Sequence, residues 1–241
     1  MTYCVGLLLN QGMVLLSDTR TNAGLDNIAT YTKMFSFEQP GERVVTIVTA
    51  GSLSVTQTTM ARLREAIEAP DASAETSIMQ APTMLKVAEI VGNTLAGVRS
   101  DIEGKMNAAK VSATASMILA GQRAGGAMRL FLIYPEGNFI EATEDTPYLQ
   151  IGEHKYGKPI LDRVVRPDTG LADAQKAVLL SMDSTLRSNL SVGMPLDLAV
   201  IERDACRVTL RRRIEPGDAG FAAMSEAWSR ALREGFSRIS I

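Results

Sequence analysis

The chain opens on alternating, mostly apolar runs. TYCVGLLL at 2–9 reads as a strand, NQG at 10–12 as a hairpin-type turn, and MVLLSD at 13–18 as the return strand. A loop around TNAGLDN precedes the extended stretch ATYTKMFSF at 29–37, and EQPGE then turns the chain into RVVTIVTAG at 43–51. That last run is β-branched and nearly continuous, the pattern of a strand covered on both faces. From Ser52 to about Glu68 the period changes: Leu53, Val55, Met60, Leu63 and Ile67 fall at helical spacing. APDASAE separates this from a second helical region, Ser77 to Met106. Pro82, which lacks an N–H, is expected in the first turn of the longer helix there.

A second β block follows: SATASMILAGQ, the turn RAGG, AMRLFLIY, the turn PEGN, FIEAT and YLQIG. Helices are expected near Lys158–Val165 and from about Leu171 to Ser188. LDLAVIER and RVTLRRRIE then close the second sheet as a hairpin. The last segment, AGFAAMSEAWSRALREGF, carries Phe221, Met224, Trp228, Ala231 and Leu232 on one stripe of an amphipathic helix. Strands and helices come in blocks, which disfavours a doubly wound parallel sheet. The expected class is α+β: a four-layer αββα sandwich of two mostly antiparallel sheets between helical layers. No linker rich in Gly, Ser or Pro divides the chain, so residues 1–241 are expected to form one domain.

Composition narrows the function. A net charge of −2 over 241 residues gives no reason to expect nucleic acid or an anionic membrane as partner. Alternating Arg in RVTLRRRIE reads as a solvated strand face. Cys4, Cys206 and the single histidine, His154, form no ligand cluster, so neither structural zinc nor a disulfide framework is indicated. His154 sits in GEHKYGK and reads as an exposed loop residue. No apolar run reaches the ~20 residues a membrane span needs, and no secretory signal opens the chain. A soluble, cytoplasmic protein is expected, with no cofactor and no metal.

Candidate chemistry lies at the front end. Thr2 is small enough to permit removal of Met1, which would place a free α-amine on the residue that carries a β-hydroxyl. An α-amine with a pKa near ~8 can take the proton from that hydroxyl, directly or through a water. A strand starting at Thr2 would hold both groups rigidly. Asp18 ends the second strand beside the Thr2 end, and Lys33 lies in the next extended segment. A lysine ammonium there would lower the pKa of amine and hydroxyl, and Asp18 would fix it. Taken alone, Asp18 and Lys33 also read as ordinary strand-end charges.

The ordered set T-Y-C-V-G, G-M-V-L-L-S-D-T-R-T-x-x-G and K-M resembles the amino terminus of catalytic proteasome β-subunits and of the bacterial peptidase HslV. Thr2, Gly6, Gly12, Asp18, Arg20 and Gly24 match in register, and Lys33 falls one residue early. VTAGSLSV resembles the corner that supplies an oxyanion-hole N–H, here Gly51. MTYCVGL, SDTRTNAG, NIATYTKM, GEHKYGKPILDR and MDSTLRSNLSVGMPLDL resemble most the Anbu branch, the ancestral β-subunits.

The resemblance implies the N-terminal nucleophile hydrolase fold and a threonine endopeptidase: Thr2 as nucleophile, Lys33 and Asp18 as its support, Gly51 as oxyanion donor. It implies Arg20, Thr21, Thr49 and Glu153 on the substrate side. Thr49, small and polar, argues against a bulky charged side chain in the first specificity pocket. Glu153 stands where the family places a serine. For the family's distal Asp/Ser pair, Asp183 with Ser184 and Asn189 with Ser191 are alternatives; Asp183 and Ser188 are taken first, against the reading of a helix C-terminus stopped at Asn189 and Gly193. The implied partners are the chain itself, in stacked rings of six or an open spiral, a peptide or unfolded protein as substrate, and by analogy an ATP-driven unfoldase. A small-molecule amidase and a non-catalytic scaffold remain as rival readings.

Overall fold

The computed structural model describes residues 2–22, 28–106 and 113–240. β1 (Tyr3–Leu9) and β2 (Gly12–Asp18) form the expected hairpin around Asn10 and Gln11. The short strands β3 (Arg20–Asn22) and β4 (Ile28–Thr30) pair with each other. Gly24 of the motif lies outside the described residues. β5 (Met34–Gln39) and β6 (Arg43–Gly51) lead into α1 (Leu53–Glu68) and α2 (Met84–Met106). β7 (Ala115–Arg123), β8 (Arg129–Ile133), β9 (Phe139–Glu141) and β10 (Tyr148–Gly152) follow. The chain then forms α3 (Lys158–Val164), α4 (Leu171–Ser188), β11 (Leu196–Glu202), β12 (Leu210–Ile214) and α5 (Ala219–Ser237).

Three expectations need correction. The stretch ATYTKMFSF is not one strand, because residues 31–33 leave the pairing between β4 and β5. Their backbone is instead tied to the residue after β2 and to β6: Tyr31 N donates to Thr19 O at 2.9 Å, and Thr49 N donates to Lys33 O at 2.9 Å. Pro82 precedes α2 rather than sitting in its first turn, and Thr83 caps the helix by accepting from Lys86 N at 3.1 Å. The β11–β12 hairpin does not join β7–β9. It pairs through β11 with β2.

The two large sheets therefore mix the sequence blocks. One has the order β10-β1-β2-β11-β12 and the other β5-β6-β7-β8-β9. Adjacent strands in both are antiparallel. Alternation decides which core each side chain enters. Tyr3, Val5, Leu7 and Leu9 of β1 pack with α3 and α4, whereas Cys4 packs between the sheets. On β6, Val45 and Ile47 face α1 and α2, while Val44 and Val48 enter the inter-sheet layer. Fully burying each such side chain contributes roughly 1.5–3 kcal/mol, which is why a run apolar on both faces becomes an interior strand, β6 lying between β5 and β7. The result is the four-layer αββα sandwich. Arg211, Arg212 and Arg213 of β12 are exposed, as a solvated face requires.

At the C-terminus, Asp218 caps α5 by accepting from Phe221 N at 2.8 Å. Its first half packs on α4. The second half is uncovered: residues 230–240 are all exposed, Leu232 and Phe236 among them.

Candidate active site

Thr2 stands immediately before β1, and Asp18 is the last residue of the hairpin partner β2, so the turn at residues 10–11 brings the two together. Lys33 reaches the same point from the irregular segment 31–33. Because that segment is bonded to Thr19 on one side and Thr49 on the other, the lysine is aimed across the end of the inter-sheet layer. Its Nζ donates to Thr2 Oγ1 at 2.6 Å, to Asp18 Oδ1 at 2.8 Å and to the Arg20 carbonyl at 2.5 Å. These three acceptors use all three donors of an ammonium.

Asp18 is fully buried and held from three sides. Oδ1 also accepts from Tyr3 N at 3.2 Å, and Oδ2 accepts from Gly193 N at 3.3 Å. Burial pushes its carboxyl above the ordinary aspartate range, against the opposing pull of the Lys33 charge and of these hydrogen bonds. The first residue of β1 is pinned as well. The Tyr3 hydroxyl lies 2.6 Å from Ser181 Oγ of α4 and accepts from Gln150 Nε2 of β10 at 2.6 Å. Burial raises the Tyr3 phenol well above its usual pKa, so it stays protonated. The Thr2 carbonyl accepts from Glu153 N at 2.7 Å. Gly152 makes that approach feasible: its φ is +79°, and a Cβ there would lie 1.8 Å from the Thr2 oxygen.

Thr2 and Lys33 form one wall of a cavity of about 260 Å³. Thr21, Thr32, Thr49 and Ala50 line it further, and Gly51, Leu53 and Thr56 close it where β6 runs into α1. Gly51 has φ +111°, and a Cβ at that position would lie 2.4 Å from Thr114 O, so the corner needs glycine. Apart from Lys33 the lining carries no charged side chain. A hydroxyl that accepts from a buried ammonium at the wall of an otherwise uncharged recess is an arrangement able to meet the carbonyl of a neutral molecule.

The family model described as Proteasome subunit matches residues 2–201. This chain belongs to the proteasome subunit family. Solved structures with which it shares its whole fold include the Anbu (Gly-1) mutant from Hyphomicrobium sp. strain MC1, at 50% identity, TM-score 0.93, and coverage of 100% of this chain and 99% of that one. Anbu, described as the ancestral beta-subunit, from Yersinia bercovieri is 41% identical at TM-score 0.92, covering 99% and 98%. A structure described as the helical assembly of the Anbu complex from Pseudomonas aeruginosa is 42% identical at TM-score 0.92, covering 99% and 97%. No curated protein sequence matches the chain.

Within this proteasome-family chain the structure brings together Thr2, Asp18, Lys33, Thr21, Thr49 and Gly51. Others lie elsewhere. Asp183 is on α4 and faces α5: Oδ1 accepts from Ser225 Oγ at 2.7 Å and Oδ2 from Arg187 Nε at 3.2 Å. Ser188 is exposed at the last position of α4. Neither is bonded to Thr2: Asp183 is engaged with α5, and Ser188 lies at the C-terminal end of α4, which Asn189 caps. Asn189 Oδ1 accepts from Ser191 N at 2.9 Å, closing the turn beyond it. The Arg20 guanidinium does not line the cavity. Nη1 donates to Leu190 O at 3.0 Å, and it is the Arg20 carbonyl that meets Lys33. Glu153 contributes its backbone N–H, and its side chain is half-buried.

Sequence reasoning missed Gly193 as the donor to Asp18, Tyr3 as the anchor of β1, and Thr32, Leu53 and Thr56 as lining. The glycine beside Met194-Pro195 was a turn signal, but nothing local ties it to Asp18, 175 residues away. His154 is exposed, and Cys4 and Cys206 are free and buried. Among the described residues, no cluster of three or more His, Cys, Asp or Glu could hold a metal.

Proposed function

We propose that this chain is the threonine peptidase subunit of a self-assembled homo-oligomer, with Thr2 as its nucleophile once Met1 has been removed. The observation that carries the reading is the Lys33 ammonium, bonded at once to Thr2 Oγ1 at 2.6 Å and Asp18 Oδ1 at 2.8 Å on the wall of a cavity. The α-amine of Thr2 accepts the hydroxyl proton as Oγ1 attacks the amide carbon. The tetrahedral oxyanion is met by the Gly51 N–H, a kind of donor whose loss costs about 3 kcal/mol of transition-state stabilisation. The amine then passes its proton to the leaving nitrogen, and the C–N bond breaks to leave an ester on Thr2. Water, deprotonated by the same amine, hydrolyses that ester and restores the hydroxyl.

Lys33⁺ opposes protonation of the neighbouring amine and steadies the developing alkoxide. Asp18 holds Lys33 in place. The threonine-rich, uncharged recess fits a small or medium neutral side chain on the acyl side of the cleaved bond. Residues 1–241 act as one unit. Copies associate in an open helical array of the kind named for the Pseudomonas aeruginosa protein. A closed ring of six and an ATP-driven unfoldase partner rest on analogy alone and stand behind the open form. No helix among the described residues is long and apolar enough to cross a membrane, and the cytoplasm is the proposed compartment.

The test is hydrolysis of fluorogenic peptides with neutral residues before the reporter. Wild-type protein cleaves them, and Thr2→Ala abolishes turnover while leaving the assembled mass unchanged. Equal turnover in the variant overturns the mechanism. Turnover of small amides without peptides moves the reading to an amidase.

A further inference from the structure

Alternation sends neighbouring side chains of a strand to opposite faces, and at the start of β1 it separates two tasks. Thr2 and Cys4 point inwards, to Lys33 and to the inter-sheet layer. Tyr3, between them, points outwards into the core under α3 and α4 and is 0% exposed. Its ring is no part of the wall of the cavity beside Thr2, so it meets no substrate held there.

The phenol is nonetheless bonded on two sides. Its hydroxyl lies 2.6 Å from Ser181 Oγ, within α4, and accepts from Gln150 Nε2 of β10 at 2.6 Å. Among the described residues, neither of these two partner atoms makes another hydrogen bond. Burial keeps the phenol protonated, so the junction carries no charge. Gly157 closes over it: a Cβ there would lie 2.1 Å from Ser181 Oγ and 2.8 Å from the phenol oxygen. Gly157 ends the loop that begins at Glu153, whose N–H holds the Thr2 carbonyl at 2.7 Å. Tyr3 N, on the same peptide unit, donates to Asp18 Oδ1 at 3.2 Å. Both polar atoms of the planar Thr2–Tyr3 peptide are therefore engaged, and the tyrosine ring anchors the residue on which it turns.

We propose that Tyr3 is a positioning residue for the reaction at Thr2. The bonds of its phenol to Ser181 and Gln150 fix the Thr2–Tyr3 peptide plane, and with it the Thr2 hydroxyl against Lys33. Rotation of that plane would swing Oγ1 away from Nζ, now 2.6 Å distant, and a misplacement of about 1 Å can cost on the order of 10²-fold in rate. Through this one side chain, α4 and β10, which line no part of the cavity, belong to the apparatus that aims the nucleophile. The inference rests on the reading of Thr2 as nucleophile.

The test compares Tyr3→Phe, which keeps the ring and removes the hydroxyl, with Ser181→Ala, which cuts the same bond from the helix side. In peptide hydrolysis each variant lowers kcat about tenfold and leaves KM unchanged. Capture of Thr2 by a β-lactone slows by the same factor. The double variant loses no more than the worse single one, because both remove one shared bond. Asp183→Ala, which loosens α4 without touching the phenol, leaves both rates as they are. Tyr3→Phe and Ser181→Ala proteins that melt earlier but keep the wild-type kcat and capture rate overturn the inference, as does a rise in KM alone or full additivity in the double variant. A wild type inert to both peptide and lactone overturns the reading of Thr2 as nucleophile, and this inference with it.

Discussion

Two buried carboxylates, Asp18 and Asp183, carry similar partners and do different work. Each accepts from a cation and from a neutral donor: Lys33 and Tyr3 N for Asp18, Arg187 and Ser225 for Asp183. Lys33, however, is buried and reaches past Asp18 to the hydroxyl of Thr2, on a cavity wall. Arg187 is 60% exposed, and its other donor returns to Ser225 Oγ at 2.7 Å, closing a small network that ties α4 to α5. The first carboxylate orients a group that faces a substrate-sized space. The second joins two helices. What distinguishes a site from a structural pair is where the cation points next, not the residue types.

The largest expected effect tests the Asp18 side. Lys33→Met leaves a fully buried carboxylate without its counter-charge, and urea melts should show a loss of about 3–5 kcal/mol. Peptide hydrolysis should fall by about 10²–10⁴-fold. Adding Asp18→Asn to that variant should recover part of the stability and none of the activity. Full additivity of the two losses would show that the pair is not coupled.

A smaller effect is expected at the other carboxylate. Asp183→Ala should cost about 1–2 kcal/mol in the same melts, through lost hydrogen bonds between α4 and α5, with hydrolysis per folded chain unchanged. Loss of activity in a folded Asp183→Ala protein would erase the contrast and return Asp183 to the catalytic machinery.

The smallest effect is in pH. Burial raises Asp18, so as pH falls the folded chain takes up this proton before the unfolded chain does. Stability linked to Asp18 therefore increases as pH falls through the raised value towards the ordinary value near ~4, and declines as pH rises through the same window. Half-buried Asp218 has the opposite sign. The Phe221 N–H and Arg212 lower its pKa, and its contribution is lost as pH falls through the lowered value. Comparing Asp18→Asn and Asp218→Asn with wild type across pH 3–7 should give slopes of opposite direction; slopes of the same sign would refute the burial account of Asp18.

Much of this was legible in the chain itself. Alternation in β1 and β2, the two-sided apolar run of β6 and the helical spacing of α1 and α4 placed those elements within a residue or two. The pairing of Thr2 with Asp18 followed from the hairpin between them. Sheet membership did not: β11 pairs with β2 across some 180 residues of sequence, and nothing in either strand names its neighbour. Lys33 was assigned to a strand because ATYTKMFSF is β-prone throughout. Tertiary bonds to Thr19 and Thr49 override that propensity and create the irregular segment that aims the ammonium. Asp183 was drawn into the site by sequence order, whereas only the facing of α4 towards α5 reveals its role.

The most direct test is intact-mass analysis of purified protein treated with an epoxyketone or β-lactone, followed by mapping of the modified peptide. The account predicts chains that have lost Met1 and carry one adduct, located on Thr2 and absent from Thr2→Ala. Chains that retain Met1 and take up no probe would contradict it.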